Sequence, residues 1–187
     1  MTMTLSMPAR IDLDDGSYLR WVTTDDADAM ARAVGESLDH LRPWMPWAEP
    51  YSAQTSFQRE RLRGLASSRA RGDEWQYGLF DPDGAFLGAF GLMTRRGPRT
   101  LEIGYWLHVD ATGRGHATRA VHALTTVGLG TDAVDRMFIV CDETNLRSAA
   151  IPQRLGYQLD RVETRAPEAP GETGRMQIWA ADAAWPG

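Results

Sequence analysis

The sequence predicts a mixed α/β fold of the α+β kind, and three stretches carry that expectation. Trp75 to Phe80 and Phe86 to Met93 flank Asp81-Pro82-Asp83-Gly84, which reads as two strands joined by a tight turn. Leu101 to Ala123 (LEIGYWLHVDATGRGHATRAVHA) alternates like a strand as far as His108. Past Gly113 and Gly115 it places Ala117, Ala120, Val121 and Leu124 at helical spacing. Arg136 to Cys141 (RMFIVC) is a short apolar run suited to a fully buried strand. The chain has 187 residues, enough for one well-formed core and too few for two ordinary domains. One domain over 1–187 is therefore expected, with 1–10 as a loose N-terminal extension.

Taken in order, Ile11 to Val22 reads as a hairpin with Asp15-Gly16 at its turn and Tyr18 to Val22 as a strand. Thr23 or Thr24 then caps a helix whose first turn holds Asp25, Asp26 and Asp28, where the helix dipole favours acid, and Ala29, Met30, Ala33 and Val34 form its buried stripe. In ESLDHLRPWMPWAEP, Pro43, Pro46 and Pro50 forbid a continuous helix and leave Trp44 and Trp47 on a constrained segment, as core plugs or as a pocket wall. Ser52 to Arg71 has helical character with a solvated arginine face. Arg95, Arg96 and Arg99 stand in a loop expected to be solvated. After the RMFIVC strand, Asn145 and Ser148 introduce a helix ending near Gly156. Arg161 to Thr173 reads as loop, and Arg175 to Ala180 as a closing strand.

The Leu101 to Ala123 stretch joins a strand to a helix through glycines. The first turn of such a helix has N–H groups without intrahelical partners and carries partial positive charge, so it suits phosphate. Glycine lets a pyrophosphate approach the main chain closely. A Walker loop needs lysine, and all twenty basic residues here are arginine. A dinucleotide fingerprint needs G-x-G-x-x-G after a βαβ start, whereas Gly113, Gly115 and Thr118 give G-x-G-x-x-T well inside the chain.

The run TGRGHA resembles the Q/R-x-x-G-x-G/A motif of the GNAT superfamily of N-acetyltransferases, with Gly115 and Ala117 in place and Thr112 where Gln or Arg is usual. NLRSAAIPQRLGY is similar to that superfamily's second coenzyme-side motif, and HLRPWMPW resembles the RimJ/RimL branch, which acetylates ribosomal protein N-termini. The resemblance spans roughly Tyr18 to Ala180. It implies a GNAT fold with a central, mostly antiparallel sheet of six or seven strands and about four helices. It also implies acetyl-CoA as cosubstrate and a primary amine as acceptor, with a protein N-terminal α-amine first in order. A small amine such as an antibiotic or amino acid, a succinyl donor, and a non-catalytic acyl-CoA sensor are the alternatives. The coenzyme is expected on Arg114, Gly115, His116, Ala117, Thr118 and Asn145.

Direct attack of an amine on a thioester needs no enzyme nucleophile, and no G-x-S-x-G elbow is present. Cys141 ends a buried strand and is expected to be an inert thiol. Main-chain N–H groups between Leu107 and Val109, where the strand pattern breaks, are expected to meet the thioester carbonyl. Alternation alone leaves Glu102 either as a strand glutamate or as a general base. The resemblance, in which this position faces the acceptor, favours the base. Many GNATs place a proton-donating tyrosine where this chain has Pro152. Ser148 resembles the serine that the RimL type uses to protonate or solvate the leaving sulfur, and the resemblance makes it the expected donor, with helix capping as its other reading.

Net charge is −5, which disfavours a general nucleic-acid partner and suits a cationic amine. His40, His108, His116 and His122 contain no i, i+4 pair, and only one cysteine is present, so no metal is expected. The opening MTMTLSMPAR lacks a basic front and an apolar run, no segment reads as a membrane span, and a cytoplasmic location is expected. Relatives of the resembled branch often form homodimers, and that possibility carries over by analogy.

Overall fold

One parallel pair of strands, set in an otherwise antiparallel sheet, positions everything that follows. In the computed structural model, which describes residues 5–187, the strands are β1 (Arg10–Asp12), β2 (Tyr18–Trp21), β3 (Glu74–Phe80), β4 (Phe86–Met93), β5 (Thr100–Leu107), β6 (Arg136–Asp142), β7 (Gln158–Thr164) and β8 (Arg175–Asp182). They form one sheet in the order β1-β2-β3-β4-β5-β6-β8-β7. Only β5 and β6 run parallel, and they pair only from Thr100 opposite Arg136 to Ile103 opposite Ile139. Beyond that point Gly104–Leu107 and Val140–Asp142 have no partners in each other, and the sheet opens.

The period-two pattern of β5 explains its two faces. Leu101 and Ile103 join the core beneath α3 (His116–Leu129) and α4 (Leu146–Arg154), among Val121, Leu124, Met137 and Ile139. Trp106 faces the other way, into the cluster formed by α1 (Ala27–Leu41) and α2 (Thr55–Arg71) with Val22, Met30, Val34 and Leu62. The predicted caps form: Thr23 and Asp26 make a reciprocal capping box on a short 3₁₀ turn that runs into α1. Asp26 does more than start a helix, because its buried carboxylate also binds Arg20 at 2.7 and 2.9 Å.

The sheet has eight strands rather than six or seven, and β7 accounts for the difference. Its sequence QLDRVET is almost wholly exposed and carries Asp160, Arg161 and Glu163, so no burial pattern marks it as a strand. Charge on an edge strand guards against pairing with other chains. The expected loop at Arg161 to Thr173 is thus strand as far as Thr164. Of the expected loose start at 1–10, residues 1–4 lie outside the described residues, and 5–10 make packed contacts. Met7 is buried in the core, Tyr77 Oη donates to the Pro8 carbonyl at 2.7 Å, and Trp21 N donates to Ala9 O at 3.0 Å.

The segment between β7 and β8 is an ordered wall. Asp142, buried at the end of β6, accepts from Thr144 N (3.0 Å) and Oγ1 (2.6 Å), Thr173 N (2.8 Å) and Gly174 N (2.9 Å). Gly171 N then donates to Pro43 O at 2.8 Å, joining this wall to the Trp/Pro segment. Burial would raise the Asp142 pKa, but these hydroxyl and amide donors outweigh it and hold the carboxyl below its usual value. A depressed folded-state pKa means that the stabilisation is present above the unfolded carboxylate pKa and is lost as pH falls through the folded one. Asp142→Asn should therefore lower Tm at pH 7. That deficit should hold down to about pH 5 and shrink below about pH 4. Melting curves across that range check it, and a deficit independent of pH would remove the charge from the explanation.

Candidate active site

Two cavities meet where the sheet opens. The first, of about 690 Å³, is bordered by the Thr112–Arg119 segment, Leu107 and α4. The second, of about 750 Å³, lies on the α1/α2 face over Glu74, Gln76, Gly91, Glu102 and Gly104. Trp44, Met45, Tyr105, Trp106, Asn145 and Ser148 border both and form the neck between them. The tryptophans are therefore pocket wall and core together: Trp44 stands at the neck, while Trp47 borders the second cavity and packs on Trp106 at a centroid distance of 5.8 Å.

The glycine loop has the geometry a phosphate requires. Gly113 and Gly115 adopt φ of +75° and +79°, which a side chain tolerates poorly. Among the described residues, none of the N–H groups of residues 113–118 donates to another protein atom; Arg119 N, bonded to Gly115 O, is the first that does. Gly115, His116, Ala117 and Thr118 border the first cavity, and Arg114, between the two glycines, points to solvent and does not. Arg154 donates to Thr118 Oγ1 at 2.9 Å. Arg119 is fixed behind the loop by Asp15 (2.6 Å) and the Arg114 carbonyl (3.0 Å). Burial and then the neighbouring Arg119 charge lower the His116 pKa, which favours the neutral ring.

At the end of β5, His108 N donates to Leu87 O at 2.8 Å, toward β4. Successive N–H groups along a strand point to opposite sides, so the Leu107 N–H points into the gap that β6 has left. The Val109 N–H does not serve there. It donates to Ser37 Oγ at 3.0 Å, while His108 Nε2 meets Glu36 at 2.8 Å, and both bonds pin the turn to α1.

Asn145 caps α4, its Oδ1 accepting from Ser148 N at 3.2 Å. Asn145, not Ser148, is therefore the cap, and the Ser148 side chain faces the neck. Its Oγ lies 3.0 Å from Tyr105 Oη, and that phenol also donates to the Ser148 carbonyl at 3.3 Å. Burial raises the Tyr105 pKa far above the ordinary phenol value, so it stays protonated. Tyr105 escaped the sequence reading because its alternation marked it simply as a core position. Cys141 borders the second cavity, and burial pushes its thiol up to about 11.

Glu102 reaches the second cavity but is not free. It is 3% exposed, with Oε1 held by Arg95 and Oε2 accepting from Arg96 Nε at 2.6 Å. Three of the roughly four acceptor sites of the carboxylate are thereby taken, and the one left is on Oε2. Of the three arginines expected in a solvated loop, Arg96 is drawn inward by this carboxylate, Arg95 reaches it while staying exposed, and Arg99 turns away to Asp135. Glu74, half-buried at the start of β3, has no hydrogen-bond or ion-pair partner among the described residues, and burial raises its pKa.

Residues 18–158 match the model of the acetyltransferase (GNAT) domain family. The chain belongs to the GNAT acetyltransferase family. It is 26% identical to the putative ribosomal N-acetyltransferase YdaF of Bacillus subtilis (strain 168) over 140 residues, which cover 74% of this chain and 76% of that protein. It is likewise 26% identical over 147 residues to the [ribosomal protein uS5]-alanine N-acetyltransferase of Escherichia coli (strain K12), covering 77% of this chain and 76% of the relative. In fold it is similar to the ribosomal L7/L12 alpha-N-protein acetyltransferase RimL in complex with coenzyme A, with a TM-score of 0.84 at 21% identity over 92% of this chain and 97% of that one.

As a GNAT enzyme the protein takes acetyl-CoA as cosubstrate, and the free amides of 113–118 fit that ligand's pyrophosphate. Among the described residues, no group of three or more His, Cys, Asp or Glu is placed to hold a metal, and no helix is long and apolar enough to cross a membrane.

Gly115→Val forces a branched side chain into φ +79°, with its Cβ 2.8 Å from Arg119 Nη1. The dissociation constant for CoA, measured by calorimetry, should rise at least about tenfold, since a left-handed β-branched residue costs on the order of 1–3 kcal/mol. An unchanged constant would move the phosphate site elsewhere.

Proposed function

We propose that the protein acetylates the N-terminal α-amine of a protein or peptide by direct attack on acetyl-CoA. The observation that carries this is the pair of cavities meeting at one neck. One ends in free main-chain amides suited to pyrophosphate, and the other is lined by carboxylates suited to an amine. The relatives named as ribosomal-protein N-acetyltransferases support a protein acceptor, as does a second cavity larger than a small amine would fill.

The chemistry assigned to these residues follows from their places. The nucleotide end of acetyl-CoA lies on residues 113–118, and its pantetheine arm runs through the gap between β5 and β6 toward Asn145. The thioester carbonyl accepts from Leu107 N–H, which stabilises the charge that builds on its oxygen. As the amine nitrogen bonds to the carbonyl carbon and the carbon–sulfur bond breaks, Ser148 Oγ–H protonates the departing thiolate. Tyr105, hydrogen-bonded to that serine and kept protonated by burial, fixes the position of its hydroxyl, and water from the cavity restores the serine proton. The ammonium proton leaves the acceptor through water to the carboxylates of the second cavity. There Glu74 has free oxygens, and Glu102 fixes Arg95 and Arg96.

Ser148→Ala should lower kcat by about 10²-fold while CoA binding persists, and Tyr105→Phe should add little to it, because the phenol acts through the serine. Steady-state and single-turnover rates test this, and full activity of the serine variant would remove Ser148 as the donor. Glu102→Gln should lower Tm yet keep kcat within about tenfold, since the lost charge holds two guanidiniums. A kcat loss near 10²-fold with Tm intact would instead make Glu102 the base. The acceptor class is tested by thiol release from acetyl-CoA with peptides whose N-termini are free or blocked. Release only with free N-termini is expected, and equal release with small amines alone would contradict the assignment.

A further inference from the structure

We propose that the second cavity selects acceptors with an acidic side chain at the second or third residue, and that Arg61 on α2 binds that carboxylate. This deepens the N-terminal acetyltransferase assignment and rests on it. Three of the four arginines bordering the cavity already have carboxylate partners: Arg95 and Arg96 share Glu102, with Glu163 3.6 Å from Arg96, and Arg165 is held by Glu168 and Glu172. Arg61 is the exception. It is half-buried, has no carboxylate within 4.0 Å among the described residues, and makes one long contact to the Gln76 amide oxygen at 3.5 Å. Glu74 faces the same space without closing a bond to it, and burial weakens the acidity of Glu74. Burial likewise lowers the Arg61 pKa, and the nearby Glu74 charge offsets this only in part.

Between Arg61 and the neck the floor is bare. Gln76, Gly91 and Gly104 are cross-strand neighbours on β3, β4 and β5, so two glycines in a row leave a strip without side chains leading from the neck toward Gln76. A Cβ on Gly91 would stand 3.3 Å from Gln76 Oε1, and one on Gly104 would stand 3.0 Å from Met93 Cε, so any side chain would crowd this strip. Two strand spacings put Gln76 about 10 Å from Gly104. An extended peptide advances about 3.3 Å per residue, so an amine at the neck places the side chain of its second or third residue under Arg61. A free amino acid cannot span that distance, because its amine and α-carboxylate share one carbon. A bidentate guanidinium–carboxylate contact, shielded from water, gives the discrimination.

The test compares free-N-terminal peptides that differ only by Glu or Gln at position two, three or six. Each is assayed for turnover with acetyl-CoA and, separately, for binding to the CoA-loaded protein by calorimetry. Wild type should favour Glu over Gln at position two or three at least about tenfold in kcat/KM and in affinity, and should be indifferent at position six. Arg61→Gln should bring the Glu-to-Gln ratio near one, and Arg61→Lys should keep part of it. Peptides acetylated without preference at positions two and three, or a preference that survives Arg61→Gln, would overturn the carboxylate site while leaving the N-terminal acetyltransferase assignment standing. If no peptide turns over and free glutamate binds and reacts better than every peptide, both assignments fail.

Discussion

The parting of β5 from β6 is the constraint on which the rest of the structure depends. Parallel strands are joined by a crossover, here the glycine loop and α3, and these two pair for only four residues before diverging. Backbone groups that a sheet would normally satisfy are left facing a gap, and unpaired groups of that kind persist only where something else occupies them. The same crossover brings the free N–H groups at the start of α3 to the mouth of the gap. One topological feature thus creates both a slot for an extended polar arm and a cradle for the phosphates at its end.

Around this gap the chain spends its buried polar groups on fixing walls. Asp142 gathers hydroxyl and amide donors to hold the β7–β8 connection over the end of β6. Glu102 gathers Arg95 and Arg96. Ser37 and Glu36 tie the turn after β5 to α1. Because both guanidiniums of the Arg95/Arg96 pair point to one carboxylate, Glu102 acts on the shape and field of the acceptor side. Under the proposed function, Glu74 is the less encumbered destination for the proton leaving the amine. On the coenzyme side the neutral phenol of Tyr105 and the hydroxyl of Ser148 form a hydrogen-bonded pair at the neck, which the proposed function sets beside the leaving thiolate.

How much of this could be read from residues alone depended on whether the signal was local. The strand–glycine–helix junction, the Asp81–Gly84 hairpin and the Thr23 cap are written in adjacent residues, and the structure contains all three. The tryptophans of the proline-rich segment were legible as either plugs or walls, and they are both. What stayed hidden depends on contacts distant in sequence. Tyr105 and Ser148 are 43 positions apart, and nothing near Tyr105 signals its partner. Val109 looked like a free amide because its acceptor, Ser37, sits 72 residues earlier. Arg96 read as solvated although its counter-charge is only six residues on, because that carboxylate belongs to the buried face of β5. β7 hid for the opposite reason, since an exposed, charged edge strand buries too little to show a period.

The central claim is that the opened strand pair and the amides after Gly113 hold an acyl-coenzyme A with its sulfur at the neck. A crystal structure of the CoA complex measures this directly. The pyrophosphate oxygens should lie within about 3.2 Å of N–H groups among residues 113–118, with the thiol within about 4 Å of Ser148 Oγ. A complex in which the nucleotide binds elsewhere, or in which the pantetheine arm bypasses the gap between β5 and β6, would contradict the account.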